Sequence, residues 1–197
     1  EPGEGKSYVA INLAINLSLS EKKVILLGMD IRKPQLRNYL KLKKGELGLT
    51  SYFSGQEKDY HRLITESEEY PNLHVLTAGV VPPNPNELLM SKRVDQLIAE
   101  LRKEYDYIII DTAPVGVVSD TFVINRISDI ALYVCRVNYS DKRNIEYLNH
   151  VVSDKSLTRP YIVLNDMDIE AKYSYRKGYG YGYGYYYGHK KVKEIEE

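Results

Sequence analysis

Glu1-Pro2-Gly3-Glu4-Gly5-Lys6-Ser7 is the stretch whose reading decides the fold. It has the body of a phosphate-binding P-loop, G-x-x-x-x-G-K-[ST], running straight into a helix. Glycines let successive backbone N–H groups converge on a polyphosphate, and the helix N-terminus behind them adds the positive end of its dipole. In this reading Gly3, Glu4 and Gly5 form the cradle, Lys6 neutralises the outer phosphates and the Ser7 hydroxyl holds Mg²⁺. The bland reading is a tight glycine-rich helix entry carrying a chance Gly-Lys-Ser. The opening residue of the pattern falls one place before Glu1, and the strand that feeds such a loop falls there too. The expectation is a chain cut inside its own active site, with the first strand missing.

Working outward, Val9, Leu13, Ala14 and Leu17 recur at helical spacing and predict a helix over residues 7–20. Val24-Ile25-Leu26-Leu27 is a short continuous apolar run, as expected of a strand buried on both faces. It ends in Gly28-Met29-Asp30-Ile31-Arg32-Lys33-Pro34. A carboxylate just past a buried parallel strand stands where open α/β sheets place ligand chemistry. Asp30 is therefore a candidate for Mg²⁺ or base duty, the alternative being a helix cap or turn former. From Arg32 to Lys44 the chain carries six basic residues, either a solvated face or a patch for an acidic or phosphorylated partner. Residues 47–70 read as short helices and loops. Residues 73–76 are the next strand. Pro82 and Pro83 enforce an extended loop. Pro85 or Asn86 opens a helix, and a longer helix runs to about Glu104 with Val94, Leu97, Ile98 and Leu101 on its inner face.

Tyr107-Ile108-Ile109-Ile110-Asp111-Thr112-Ala113-Pro114 is the second strong signal. A buried strand ending in aspartate is the Walker B arrangement, in which the carboxylate sits behind the Mg²⁺ site and fixes a metal-bound water. Alone it is weak, but it comes about a hundred residues after the loop with a βα rhythm between. Further on, residues 119–125 read as a helix, 130–135 as a strand, 141–152 as a helix, and 161–164 as a last strand ending at Asn165-Asp166. Strands alternating with helices imply parallel pairing. The expected architecture is a three-layer α/β P-loop domain over residues 1–170 with a mostly parallel sheet.

Composition narrows the function classes. The 27 basic and 27 acidic residues balance, which argues against nucleic-acid binding by bulk charge. The single cysteine, Cys135, excludes an intrachain disulfide and sits in an apolar run, as a small buried residue does. The four histidines lack zinc-ligand spacing. No apolar run approaches a membrane span and no signal peptide is visible.

Past about Glu170 the composition changes. Eight of the sixteen residues from Tyr173 to Gly188 are tyrosine: Tyr173, Tyr175, Tyr179, Tyr181, Tyr183, Tyr185, Tyr186 and Tyr187. Glycine at alternate places gives no core, so residues 171–197 read as a flexible tail. The bland reading is a low-complexity linker. The sharper one is a hydroxyl-rich phosphoacceptor able to reach an active site.

The motifs at 2–7, 25–34, 79–89 and 105–120, together with the tyrosine cluster, resemble the bacterial tyrosine kinases (BY-kinases) of capsule and exopolysaccharide assembly. The resemblance covers essentially the whole chain, and the tail separates it from the related ParA/MinD ATPases, which share the deviant-Walker core. It implies Mg²⁺ and ATP as cofactors and autophosphorylation in trans, tail into a neighbouring site, within a ring-like homo-oligomer. It also implies work with polysaccharide polymerase and export machinery, a cognate protein-tyrosine phosphatase, and the cytoplasmic face of the membrane, reached through a missing N-terminal region or a partner. The family usually ends its second acidic motif in D-x-D; here the first of these places is Gly28. In the implied mechanism Lys6 holds the β/γ-phosphates, Ser7 and Asp111 fix Mg²⁺ with Asp30 beside them, and Asp30 orients or deprotonates the acceptor phenol. Asn165 resembles the position from which relatives read the adenine edge. Arg32 either approaches phosphate or makes a surface ion pair. Two other classes stay open: an ATPase switch without tyrosine kinase activity, and a non-enzymatic assembly subunit whose nucleotide only sets the oligomeric state.

Overall fold

Val24, Ile25, Leu26 and Leu27 have no exposed surface, and they form the centre of strand β1 (Val24–Gly28). The computed structural model to which they belong describes residues 2–42, 45–114, 120–141, 143–153 and 157–168. β1 pairs in parallel with β3 (Leu73–Leu76) on one side and with β4 (Tyr107–Asp111) on the other. Gly28 lies in register with Asp111, so both strands end together and deliver their following residues to the same edge. A two-residue strand β2 (Thr65–Glu66) adds antiparallel to β3. It was not expected within 47–70, because both of its residues are exposed and carry no apolar signal.

The alternation along β1 explains the layers. Ile25 and Leu27 face a core built with Val94, Leu97, Ile98 and Leu101 of α5 (Lys92–Glu104), the four residues expected on that helix's inner face. Val24 and Leu26 face the opposite core with Ala14 of α1 (Lys6–Leu19). Between β1 and α5 come α2 (Leu36–Tyr39), α3 (Leu49–Phe53), the 3₁₀ turn Tyr60–Leu63 and α4 (Pro85–Leu89). α4 opens on Pro85, whose fixed φ suits a first helical turn. After β4 follow α6 (Asp120–Asn125), β5 (Ala131–Arg136), α7 (Arg143–Ser153) and β6 (Pro160–Asn165). This is the three-layer α/β P-loop architecture expected from the motifs.

The sheet is divided. Four strands run in the order β2-β3-β1-β4, and β5 and β6 form a separate parallel pair. A cavity of about 540 Å³ is bounded by both β4 and β5, with α1 and α6 closing its sides. Its lining mixes polar residues at the two ends with apolar ones between them, including Ala10 and Leu13 from α1, Ile109 and Ile110 from β4, and Val134 from β5. Among the described residues no strand pairs with the facing edges of β4 and β5.

The described residues up to Asp166 form one compact unit. Beyond it only Met167 and Asp168 are described, so the tyrosine cluster from Tyr173 to Tyr187 lies outside the described residues. Among the described residues no helix is long and apolar enough to cross a membrane.

Candidate active site

Gly3 and Gly5 take φ of 83° and 90°, the left-handed region in which a side chain is strained. Space adds to the demand. A Cβ on Gly3 would come 2.9 Å from the Tyr139 hydroxyl, and one on Gly5 would run into the Asn165 amide. The loop turns into α1 with Gly5 at the N-cap, no side-chain cap and no acidic residue in the first turn. The helix therefore keeps its positive end for an anion.

Around that helix end the structure gathers Lys6, Ser7, Asp30 and Asp111. Asp111, 5% exposed, closes β4. Its carbonyl accepts the backbone N–H groups of Met29 at 2.8 Å and Asp30 at 3.1 Å, which ties the two acidic motifs together. Burial, and then the charge of Asp30, push the Asp111 carboxyl up to about 6, against a hydrogen bond from Ser7 and the nearby Lys6. Burial holds the Lys6 ammonium below its ordinary value, although Glu4, Asp111 and Asp30 pull it up. Asp30 Oδ1 accepts the backbone N–H groups of Arg32 at 3.3 Å and Lys33 at 3.0 Å. That is the turn-forming role weighed in the sequence, and it orients the carboxylate without consuming Oδ2.

Among the described residues no three His, Cys, Asp or Glu side chains gather as a metal cluster. Mg²⁺ needs only one or two carboxylates, because it keeps waters and substrate phosphates as ligands. A buried carboxylate with a raised pKa, hydrogen-bonded to a serine hydroxyl at a helix N-terminus, fits that ion.

Apart from Asn165, the side chains that grip the loop come from places the motifs did not mark. Ser140 donates from Oγ to Glu4 Oε1 at 2.7 Å, and Ser140 Oγ in turn accepts the Arg136 N–H at 2.8 Å. Glu4 is 1% exposed, and its Oε2 lies 3.8 Å from Lys6 Nζ. The Tyr139 hydroxyl donates to the Pro2 carbonyl at 3.1 Å. Asn165 Nδ2 donates to the Glu4 carbonyl at 3.0 Å, so Asn165 reaches the loop from the end of β6. Arg136 and Asn165 are register partners at the ends of β5 and β6. The rule that ligands meet the carboxyl ends of parallel strands would have pointed to 136–140 as it did to Asp30.

Arg32 makes a bidentate ion pair with Asp120, at 2.7 Å and 3.0 Å, and also donates to Asn86 Oδ1 at 2.7 Å. Asp120 is 1% exposed. Of the two readings left open for Arg32, the ion pair is the one observed, and it is a tie between three segments.

The ionisation of Asp111 has a measurable consequence. A carboxyl raised from 3.8 to about 6 binds its proton more tightly folded than unfolded, so the metal-free fold loses stability as pH rises from about 4 to about 6 and stays penalised above. Asp111→Asn removes a penalty of up to about 3 kcal/mol. The metal-free variant is expected to melt higher than the parent at pH 8, with the gap shrinking towards pH 4; equal melting at pH 8 by calorimetry would refute this.

Comparison with known proteins gives the geometry a family. Residues 2–159 match the AAA domain family. The chain is 34% identical over 168 residues to the tyrosine-protein kinase CpsD of Streptococcus pneumoniae, covering 85% of this chain and 73% of CpsD. The structure matches the kinase domain of the Escherichia coli tyrosine kinase ETK with a TM-score of 0.78 at 30% identity, over 93% of this chain and 69% of that one. MinD from Pyrococcus horikoshii, solved with Mg-ADP, matches with a TM-score of 0.67 at 20% identity over 88% of this chain and 73% of MinD, which shows a shared fold. By sequence and by structure, the chain belongs to the bacterial tyrosine kinases, the BY-kinase family.

Proposed function

We propose that this chain transfers the γ-phosphoryl group of ATP to tyrosine hydroxyls, and that its own C-terminal cluster, Tyr173 to Tyr187, is the acceptor. The observation that carries the reading is the meeting of Lys6, Ser7, Asp30 and Asp111 at the N-terminus of α1. Backbone N–H groups from Gly3 to Ser7 and the Lys6 ammonium bind the β- and γ-phosphates. Ser7 and Asp111 hold Mg²⁺, with Asp30 beside them. Mg²⁺ held by Ser7 and Asp111 would supply positive charge against the phosphates. A phenol has a pKa of about 10 and is a poor nucleophile at neutral pH. Asp30 orients the hydroxyl and accepts its proton as the phenol oxygen bonds to the γ-phosphorus. The bond from that phosphorus to the β–γ bridging oxygen breaks, and ADP leaves. Asn165, at the loop's edge, contacts the adenine.

The acceptor tail enters the site of a neighbouring copy in a ring-like homo-oligomer. The phosphorylation state regulates polysaccharide polymerisation and export at the cytoplasmic face of the membrane, and a protein-tyrosine phosphatase resets it. The likeness to MinD supports a second reading, an ATPase switch with an unmodified tail. Incubation with MgATP followed by mass spectrometry separates the two. Phosphate on residues 173–187 supports the kinase; ATP hydrolysis with every tyrosine unmodified refutes it.

Phosphorylation is also expected to loosen the oligomer. Each phosphate adds about −1.5 to −2 charges at pH 7. Several on one sixteen-residue segment repel one another, the ATP phosphates, and Asp30 and Asp111. Pairing with the basic residues between Arg32 and Lys44 offsets little, because surface pairs contribute about 0–1 kcal/mol each. Light scattering should show a smaller species before phosphatase treatment than after it. A variant with the tail tyrosines changed to phenylalanine should not respond, and a response from it would sink the idea.

A further inference from the structure

The loop carries one charged side chain that the proposed chemistry leaves unused. Glu4 stands between Gly3 and Gly5, in the stretch whose backbone would cradle phosphate, yet its own side chain is an anion. A carboxylate in such a place opposes the ligand by charge. It is also close to the cation that the ligand needs. Glu4 is buried, and Oε2 lies 3.8 Å from Lys6 Nζ, an ion-pair distance longer than a hydrogen bond. Glu4 is thus a built-in rival to phosphate for Lys6, held short of closing on it.

Ser140 is what holds it. Its Oγ donates to Glu4 Oε1 at 2.7 Å and accepts the Arg136 N–H at 2.8 Å, so the hydroxyl is oriented from both sides. The Ser140 N–H donates to the Arg136 carbonyl at 2.9 Å, and the Val137 N–H donates to the Asn165 carbonyl at 3.0 Å. The turn that carries Ser140 is therefore closed on the ends of β5 and β6, and its position does not depend on the loop it touches.

We propose that Ser140 is a positioning residue for nucleotide: it keeps the Glu4 carboxylate off Lys6 and so leaves the ammonium available to the phosphates. The inference rests on nucleotide binding at the loop, and on neither the acceptor nor the transfer step. Removing the hydroxyl takes a donor from a buried anion, which is costly unless the anion finds another. Closing on Lys6 supplies one, as a charge-assisted bond in a site of low dielectric. Phosphate must then break that bond to reach Lys6, and binding weakens. The effect needs the Glu4 charge, which separates it from a mere loosening of the loop. Glutamine at this position keeps the size and still accepts from Ser140, but has no charge with which to hold Lys6.

The test titrates the full chain with a fluorescent ATP analogue and Mg²⁺, with circular dichroism as the check on folding. Ser140→Ala is expected to raise the dissociation constant about 10-fold, while Ser140→Thr, which keeps the hydroxyl, stays within about threefold. Glu4→Gln alone should lower the constant about threefold, because the rival charge is gone. In the double variant Glu4→Gln/Ser140→Ala the alanine should lose its effect, leaving the constant within about twofold of Glu4→Gln. Inorganic triphosphate, used as competitor, should follow the same order, since the change lies at Lys6 and not at Asn165, which bonds to the Glu4 carbonyl. Unchanged binding in Ser140→Ala overturns the proposal. So does an alanine effect that persists beside Glu4→Gln, which would make Ser140 a prop for the loop, or one that spares triphosphate, which would route it through Asn165. Weaker binding in Glu4→Gln overturns it whether or not Ser140→Ala folds. If the parent binds neither probe, the nucleotide reading of the loop falls first, and the role of Ser140 with it.

Discussion

Lys6→Met is expected to abolish tyrosine phosphorylation while leaving the fold intact. Lys6 opens α1, immediately after the left-handed Gly5, so its ammonium is placed by the loop itself. Burial penalises that charge, and the neighbouring carboxylates Glu4, Asp111 and Asp30 offset the penalty only in part. Methionine keeps the length and apolar stem, removes the buried cation, and is a good helix former. The fold should therefore tolerate it. Chemistry should not, because phosphoryl transfer depends on fixed charge placed where negative charge builds up. Losing one preorganised donor typically costs about 10²–10³ in rate, and a full charge in a partly buried site belongs at or above the upper end. Lys6→Arg is the companion. It keeps the charge but replaces a compact ammonium by a planar fork, and a partial loss is expected. Phosphotyrosine would be counted by mass spectrometry in cells lacking other kinases of this class, with circular dichroism as the check on folding. Undiminished modification in Lys6→Met would remove Lys6 from the mechanism.

What could be read in the sequence, and what could not, divides along one physical line. Val24–Leu27 and Ile108–Ile110 are short uninterrupted apolar runs, and only strands covered on both faces ask for that pattern. Once they are strands, the aspartates behind them, Asp30 and Asp111, share one sheet edge, and the register of Gly28 with Asp111 makes it so. The P-loop was legible because its glycines answer to a local backbone demand. By contrast, Ser140 meets Glu4 across 136 residues, and Arg32 meets Asp120 across 88. Nothing local distinguishes those side chains from any solvated serine or arginine. Ser140 became a functional candidate only when the end of β5 was brought against the loop, and Asp120 only when α6 met Arg32. Gly28 is the converse case. In the sequence it was a missing carboxylate, and in the structure it is also space between Leu36 and Ala78.

The divided sheet leads to the second large effect. A version of the chain carrying a five-residue apolar strand ahead of Glu1, Val- and Ile-rich on both faces, is expected to melt higher and to bind MgATP more tightly than the 197 residues alone. The cavity between β4 and β5 extends from Tyr107 and Ala131 at one end to Lys6, Asp111 and Thr112 at the other, so a parallel strand laid in it ends where the loop begins. Such a strand would pair with β4 on one edge and β5 on the other, and its side chains would cover Ala10 and Leu13 of α1 on one face and Ile124 of α6 on the other. Fully burying a large aliphatic side chain stabilises by about 1.5–3 kcal/mol, while ordering each backbone residue costs about 1–2 kcal/mol. The ladder hydrogen bonds add to the favourable side. A net gain of only about 3 kcal/mol would raise the melting temperature by roughly 6–12 °C in a domain of this size. The effect on nucleotide binding follows from the same anchor. Pro2 and Gly3 are held on one side by Tyr139 and Arg136, through hydrogen bonds to their carbonyls. A strand feeding into them would fix the other side, so the backbone N–H groups would be aimed before ATP arrives and their ordering would no longer be charged against binding. An extension of equal length with Lys and Asp at alternate places is the control, because its charges would lie against Ala10, Leu13 and Ile124 without partners. Calorimetric titration and thermal melting would be run on all three proteins. If the apolar extension binds and melts like the parent, or if the charged control matches the apolar one, the space between β4 and β5 is not a strand site and the division of the sheet has another cause.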